Sequence, residues 1–149
     1  VLQPTPELYA VATGKPNDLS CVVRVDSDFG SVLLTGDLEA RGELELVGRD
    51  PSALKADVLL VPHHGSRTSS TVAFIASVAP EIAVYTSGYR NRFGHPASEV
   101  AARYTERGIP LVTTDKCGAW LWLSADAAAS GHCVRSVAAR YWHHRAVPE

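Results

Sequence analysis

Apolar and polar residues alternate from Ser20 to Asp26, with Cys21, Val23 and Val25 on one side and Val22, Arg24 and Asp26 on the other. That period of two predicts a half-buried strand. A strand is also predicted from Leu8 to Lys15, and the Gly14-Lys15-Pro16-Asn17-Asp18 turn between the two predicts a hairpin. Asp28-Phe29-Gly30 reads as a turn, and Ser31 to Thr35 as a short apolar strand stopping at Gly36-Asp37. Ala40, Leu44 and Val47 then recur at helical spacing before Pro51.

Val58-Leu59-Leu60-Val61 is a continuous apolar run, the pattern of a strand buried on both faces, and it leads directly into Pro62-His63-His64-Gly65-Ser66. Ser69 or Ser70 can cap a following helix whose Val72, Ile75, Ala76 and Ala79 share one face, with Pro80 ending it. A strand is predicted from Ile82 to Thr86, then a loop to His95. Pro96 occupies the place of a first helical residue, ahead of Val100, Ala101 and Tyr104, and Gly108 closes that helix. Strand Ile109 to Thr113, a turn at Thr114 to Gly118, strand Ala119 to Leu123, a small-residue loop from Ala125 to Ser130 and a last strand from Cys133 to Ala139 complete the reading. Strands alternating with helices predict a layered α/β fold, and hairpins mixed with crossovers predict a mixed sheet in place of a doubly wound parallel one.

The chain has 149 residues, 46% of them hydrophobic, enough for one globular domain or a large part of one. A net charge of −2 denies it the basic surface of a non-specific nucleic-acid binder, so a polyanion would have to be held locally. No run approaches the ~20 apolar residues of a membrane helix. The abrupt start at Val1-Leu2-Gln3-Pro4 leads to the expectation of a segment of a longer protein. Cys21, Cys117 and Cys133 form no C-x-x-C pair and are odd in number, so they are expected to be packing residues without a disulfide.

The candidate chemistry lies at strand ends. Gly36 lets the backbone turn so that the Asp37 carboxylate can project from its strand, although from position alone a helix N-cap is the commoner explanation of such an aspartate. A lone histidine is usually a satisfied packing residue, but two adjacent imidazoles at the end of a buried strand contribute nothing to packing. A carboxylate and a histidine at neighbouring strand ends supply the oxygen and nitrogen donors that zinc or manganese accepts, yet two donors do not complete a site. Arg67, Arg90, Arg92 and Lys116 fall in predicted loops near those ends and can hold phosphates. No G-x-S-x-G elbow surrounds Ser66, which weakens a serine-nucleophile reading, and Tyr141-Trp142-His143-His144-Arg145 reads as a tail able to stack on a base.

Asn17-Asp18-Leu19-Ser20, Leu33-Leu34-Thr35-Gly36-Asp37, Ala56-Asp57 through Ser69-Ser70, Asn91-Arg92-Phe93-Gly94-His95-Pro96 and Thr113-Thr114-Asp115 resemble, in order and spacing, the metallo-β-lactamase-like domain that ends the ComEC competence proteins. The resemblance implies the second half of an αββα sandwich, a mixed sheet with flanking helices, recognisable to about residue 123, with 124 to 149 as terminal strand and tail. It implies Asp37, His64 and His95 as catalytic residues, and Asp37, His64 and His63 as candidate metal ligands with His64 the favoured histidine. Ser66, Arg67, Arg92 and Asp115 become substrate-binding residues.

The implied cofactor is zinc or manganese, two ions in a complete domain, and the implied activity is hydrolysis of DNA by a metal-activated water. Single-stranded DNA is the implied substrate, and the membrane channel of the same parent chain the implied partner. The implied location is a soluble domain of a bacterial inner-membrane protein, on the extracytoplasmic side. That family's His-x-Asp/His-x-Asp-His run has no counterpart before Asp37, so 149 residues alone are expected to build half a site and to be inactive as they stand. A hydrolase of small phosphodiesters or esters, and a non-catalytic structural or DNA-binding module, are the alternatives. An apolar sheet face left open, around Val23, Val25 and the Leu33 strand, leads to the expectation of self-association.

Overall fold

The computed structural model describes residues 1–10, 15–125 and 131–142. Five strands form one sheet in chain order: β1 (Val23–Ser27), β2 (Gly30–Leu34), β3 (Val58–Leu60), β4 (Ile82–Tyr85) and β5 (Leu111–Thr113). β1 and β2 form an antiparallel hairpin through the Asp28-Phe29 turn, with Val25 opposite Val32; β2, β3, β4 and β5 run parallel. The sheet is therefore mixed, as the pattern predicted.

Parallel neighbours need crossovers, and helices supply them. α2 (Ala40–Arg49) joins β2 to β3, α3 (Val72–Val78) joins β3 to β4, and α4 (Ser98–Thr105) joins β4 to β5. Because side chains alternate along a strand, Leu33, Leu59 and Ala83 fall on one face, where they are fully buried against Leu38, Leu46, Phe74, Ile75, Val78 and Val100. Val32, Leu34, Val58, Leu60 and Val84 fall on the other face and line a groove of about 360 Å³ beneath Trp120, Leu121 and Trp122.

Several expectations are corrected. The predicted strand at Leu8–Lys15 begins instead as helix α1 (Pro6–Ala10), and residues 11–14 lie outside the described set, so the hairpin belongs to β1 and β2. Thr114 to Cys117 is a helical turn, α5, and the expected last strand is only β7 (His132–Cys133), paired with β6 (Trp120–Leu121) and followed by α6 (Val134–Val137). Thr71, not Ser69 or Ser70, caps α3 through a bond from the Phe74 amide, because Ser70 is turned into the interior.

The faces of two helices also differ from the apolar pattern. Leu44 and Val72 are exposed, while Glu43 and Phe74 are fully buried. Glu43 is tolerated inside because its carboxylate accepts from the Ser70 and Thr71 amides, while Arg103 donates to the Ser69 and Ser70 carbonyls. Burial pushes the Glu43 carboxyl above its ordinary range, with those amides opposing the shift. The cysteine expectation fails as well: Cys117 and Cys133 form a disulfide that ties α5 to β7, and Cys21 is left exposed. The small-residue loop at residues 126–130 and the histidines of the terminal tail lie outside the described residues.

Candidate metal-binding site at the strand ends

The parallel order brings the carboxyl ends of β2, β3 and β4 together, which is where open α/β sheets gather their functional groups. After β2, Thr35 is fully buried and donates its hydroxyl to the Leu60 carbonyl at 2.6 Å, binding this end to β3. Gly36 then takes a left-handed φ of +53°, which turns the chain and leaves Asp37 projecting while Leu38 returns to the core. Asp37 does not cap α2; the residue at that position is Glu39, which makes no side-chain cap bond. The N-cap explanation of Asp37 therefore does not hold.

After β3, the histidine turn is fastened to this first turn by the His63 amide, which donates to the Gly36 carbonyl at 2.9 Å. His63 and His64 both adopt left-handed backbone, φ +48° and +55°. Such conformations cost on the order of 1–3 kcal/mol each for residues with a Cβ and persist only where the surroundings enforce them. Enforcement comes from Gly65: at φ +77°, any Cβ there would overlap the Tyr85 ring, and its carbonyl accepts from the Ala97 amide at 2.9 Å.

These turns set the imidazoles. His64 Nδ1 lies 2.7 Å from the Thr86 carbonyl and 2.9 Å from its hydroxyl. A carbonyl only accepts, so Nδ1 carries the proton and Nε2 of the neutral ring presents a bare lone pair. That lone pair faces Asp37 Oδ1 at 3.3 Å. Two acceptors directed at one another need a proton or a cation between them, and both side chains are about half exposed, so an ion can reach them. Asp37 and His64 thus fit as two donors of a zinc- or manganese-like ion. Among the described residues no group of three or more His, Cys, Asp or Glu side chains gathers into a metal-holding cluster.

His63 points elsewhere. Its Nδ1 lies 3.2 Å from the Thr68 hydroxyl and 3.5 Å from Glu39 Oε1. Burial tends to raise the Glu39 carboxyl, but the Asn17 amide together with Lys15 and His63 outweighs it and holds the group below its ordinary range. The Ser66 hydroxyl is 3.1 Å from the Thr68 hydroxyl and makes no bond to His64, so no serine-base pair exists.

His95 joins from the loop after β4. Its ring is 6.3 Å from that of His63, centroid to centroid. Asn91 pins its backbone at both polar groups, accepting from the His95 amide at 2.8 Å and donating to its carbonyl at 2.7 Å. Ala97 stands at the N-cap of α4, one residue beyond Pro96, so the helix begins later than the sequence pattern predicted. Its Nδ1 is buried without a hydrogen-bond partner, and desolvation, with the nearby His63 and His64, lowers its basicity. His95 is therefore a neutral imidazole near pH 7.

The other expected residues are more scattered. Arg67 pairs with Glu99 at 3.0 Å on the surface, and Arg92 lies over the Phe93 ring. Asp115 is the second residue of the helical turn after β5, with one carboxylate oxygen buried and unpartnered. Thr86, Glu39, Thr68 and Asn91 were not singled out from sequence. Thr86 was findable as the residue ending the next parallel strand, Glu39 as the neighbour of Asp37, and Thr68 and Asn91 as members of the quoted motifs, though nothing there gives their partners.

A model of the family described as "Metallo-beta-lactamase superfamily" matches residues 10–88, more than half of the chain. The chain belongs to the metallo-β-lactamase superfamily. Among relatives, it is 46% identical over 103 residues to Competence protein ComA of Neisseria gonorrhoeae, covering 69% of this chain and 15% of that protein. It is 38% identical over 102 residues to ComE operon protein 3 of Bacillus subtilis (strain 168), covering 68% and 13%. It is also 42% identical over 95 residues to Recombination protein 2 of Haemophilus influenzae, covering 64% and 12%. The likeness to competence proteins read from the motifs is thus shown, and the chain spans less than a sixth of the length of each of these relatives. Superfamily members generally use metal ions, often zinc, which agrees with the donors at this strand end.

Proposed function

We propose that this chain forms part of a metal-dependent phosphodiesterase domain of a ComEC-type DNA-uptake protein, hydrolysing DNA. The observation that carries the proposal is the His64 ring, fixed by Thr86 through Nδ1 so that its Nε2 lone pair faces the Asp37 carboxylate. Asp37 and His64 would hold the ion, which when bound supplies Lewis-acid stabilisation of the charge developing on a phosphodiester. His63, kept on Glu39 and Thr68, orients beside the site without competing for the ion. His95, neutral and fastened by Asn91, is a hydrogen-bond donor or proton carrier toward the scissile group. The names of the competence relatives support DNA as the polymer concerned.

The remaining donors would come from elsewhere in the longer protein that carries this sequence. The disulfide supports a location on an oxidising, extracytoplasmic side of the membrane, and no helix among the described residues is long and apolar enough to cross a membrane.

Purified full-length protein supplied with manganese or zinc is expected to cut single-stranded DNA, and Asp37→Ala and His64→Ala are each expected to lose at least about 100-fold in rate. Cleavage unaffected by Asp37→Ala would sink the proposal. A protein that binds neither metal would instead be a structural or DNA-binding module, and one that turns over only small esters would place the site among other hydrolases.

A further inference from the structure

The loop between β4 and α4 interleaves aromatic and cationic side chains: Tyr89, Arg90, Arg92 and Phe93. Tyr89 is 52% exposed and Phe93 67%. The Arg90 guanidinium lies 5.3 Å from the centroid of the Tyr89 ring, and that of Arg92 lies 4.9 Å from the centroid of Phe93. Phe93 is itself stacked with His95, centroids 5.8 Å apart and planes 17° apart, and His95 is 6.3 Å from His63. A series of rings therefore leads from solvent to the histidine pair.

We propose that this loop is a platform for single-stranded nucleic acid, with an unpaired base stacked on Phe93 and with Arg90 and Arg92 holding the phosphates beside it. The inference rests on the phosphodiester reading of the same site and deepens it by naming the residues that would receive the strand. Large aromatic surface held in water is unfavourable unless a ligand covers it, and a base face covers it without regard to sequence. In a duplex those faces are already stacked on one another, so a ring presented in this way selects unpaired bases. The Arg92–Phe93 contact is an exposed one, weaker than base stacking, and an entering base displaces the guanidinium toward the adjoining phosphate.

Charge supports the location. The chain carries a net charge of −2, and Asp37 and Glu39 flank the histidines, so phosphate is repelled there until a cation is bound. Two arginines on the adjoining loop supply the anchoring those carboxylates deny. The base of the loop is firm because Asn91 bonds to the Gly88 carbonyl and to both backbone groups of His95, while Tyr89 and Phe93 remain exposed.

Fluorescence anisotropy without added metal tests this with the 149-residue chain and an oligothymidylate of roughly ten nucleotides, against a duplex of the same length. The single strand is expected to bind about tenfold more tightly than the duplex. Phe93→Ala is expected to weaken single-strand binding about tenfold and Tyr89→Ala less, while Phe93→Trp retains it. Arg92→Gln should lower the slope of log affinity against log salt by roughly 0.7. An oligouridylate separates RNA from DNA as the source of the bases, and stacking on Phe93 with either counts for the platform. Equal binding of single strand and duplex, or a Phe93→Ala variant that binds like wild type, overturns the inference. Turnover of a small chromogenic phosphodiester by the metal-loaded full-length protein reports separately on the hydrolase reading. Its absence in wild type would end that reading, whereas the anisotropy measurements alone decide the platform.

Discussion

The two faces of the five-stranded sheet are comparably apolar and end in different environments. On the helix side, Leu33, Leu59 and Ala83 are fully buried under α2, α3 and α4, and even the Glu43 carboxylate admitted there is matched by two amides. On the opposite side, Val32, Leu34, Leu60 and Val84 border a groove that, among the described residues, Trp120 to Trp122 cover, and Leu34 and Val25 remain 38% and 52% exposed. Burial against helices, not hydrophobicity of the strand residues, is what makes a face stabilising. The candidate site sits at neither face but at the strand ends, where polar groups can be held without being interred.

The sharpest test of this contrast is a pair of neighbours. Leu59→Ala empties a close-packed position and is expected to cost about 3 kcal/mol, whereas Leu60→Ala, facing the groove, should cost at most about 1.5 kcal/mol, both read from urea unfolding. Equal losses would mean that the groove side is as tightly filled as the helix side. Reduction of the Cys117–Cys133 disulfide, which closes a 16-residue separation, should lower stability by about 2–3 kcal/mol and loosen the Trp120 segment that covers the groove. Unfolding curves with and without a thiol reductant measure the first effect, and tryptophan fluorescence the second.

Glu43→Gln probes the helix side through pH. Burial raises the Glu43 carboxyl above its ordinary 4.5, so the folded chain takes up that proton more readily than the unfolded one. The stability of wild type relative to Glu43→Gln should therefore be greatest below about pH 4.5 and decline as pH rises through the raised value. A difference that is flat with pH, or that grows with it, would contradict the assignment. The smallest effect is expected at the site itself: Asp37→Ala, half exposed and outside the core, should change stability by less than about 0.5 kcal/mol while removing metal affinity in calorimetry. Gel filtration at rising concentration tests the open face, and self-association is the expected result.

Much of the fold was legible because its pattern is local. The run Val58–Val61 announced a buried parallel strand, Gly36-Asp37 and His63-His64-Gly65 marked strand ends, and Pro51, Pro80 and Gly108 bounded the elements between them. The failures also have physical causes. Leu8 to Lys15 is apolar enough to read as a strand, but its first part belongs to α1, and residues 11–14 lie outside the described set. The burial of Glu43 has no mark in the sequence around it, because the Ser70 and Thr71 amides that receive it lie 27 and 28 residues away. Cys117 and Cys133 fit no close-spaced motif and are joined only because β6 and β7 pair.

The candidate site divides in the same way. Residue types and their places at strand ends follow from the chain itself: glycines where the backbone must turn, and a carboxylate and two imidazoles directly after apolar runs. Which imidazole faces the carboxylate does not. His63 and His64 are adjacent and chemically identical, and only the positions of Thr86 and Glu39, brought in from β4 and from the turn before α2, direct one toward Asp37 and the other away. Ring orientation is set by hydrogen-bond partners remote in sequence, and those partners exist only once the parallel strands have lined up their ends.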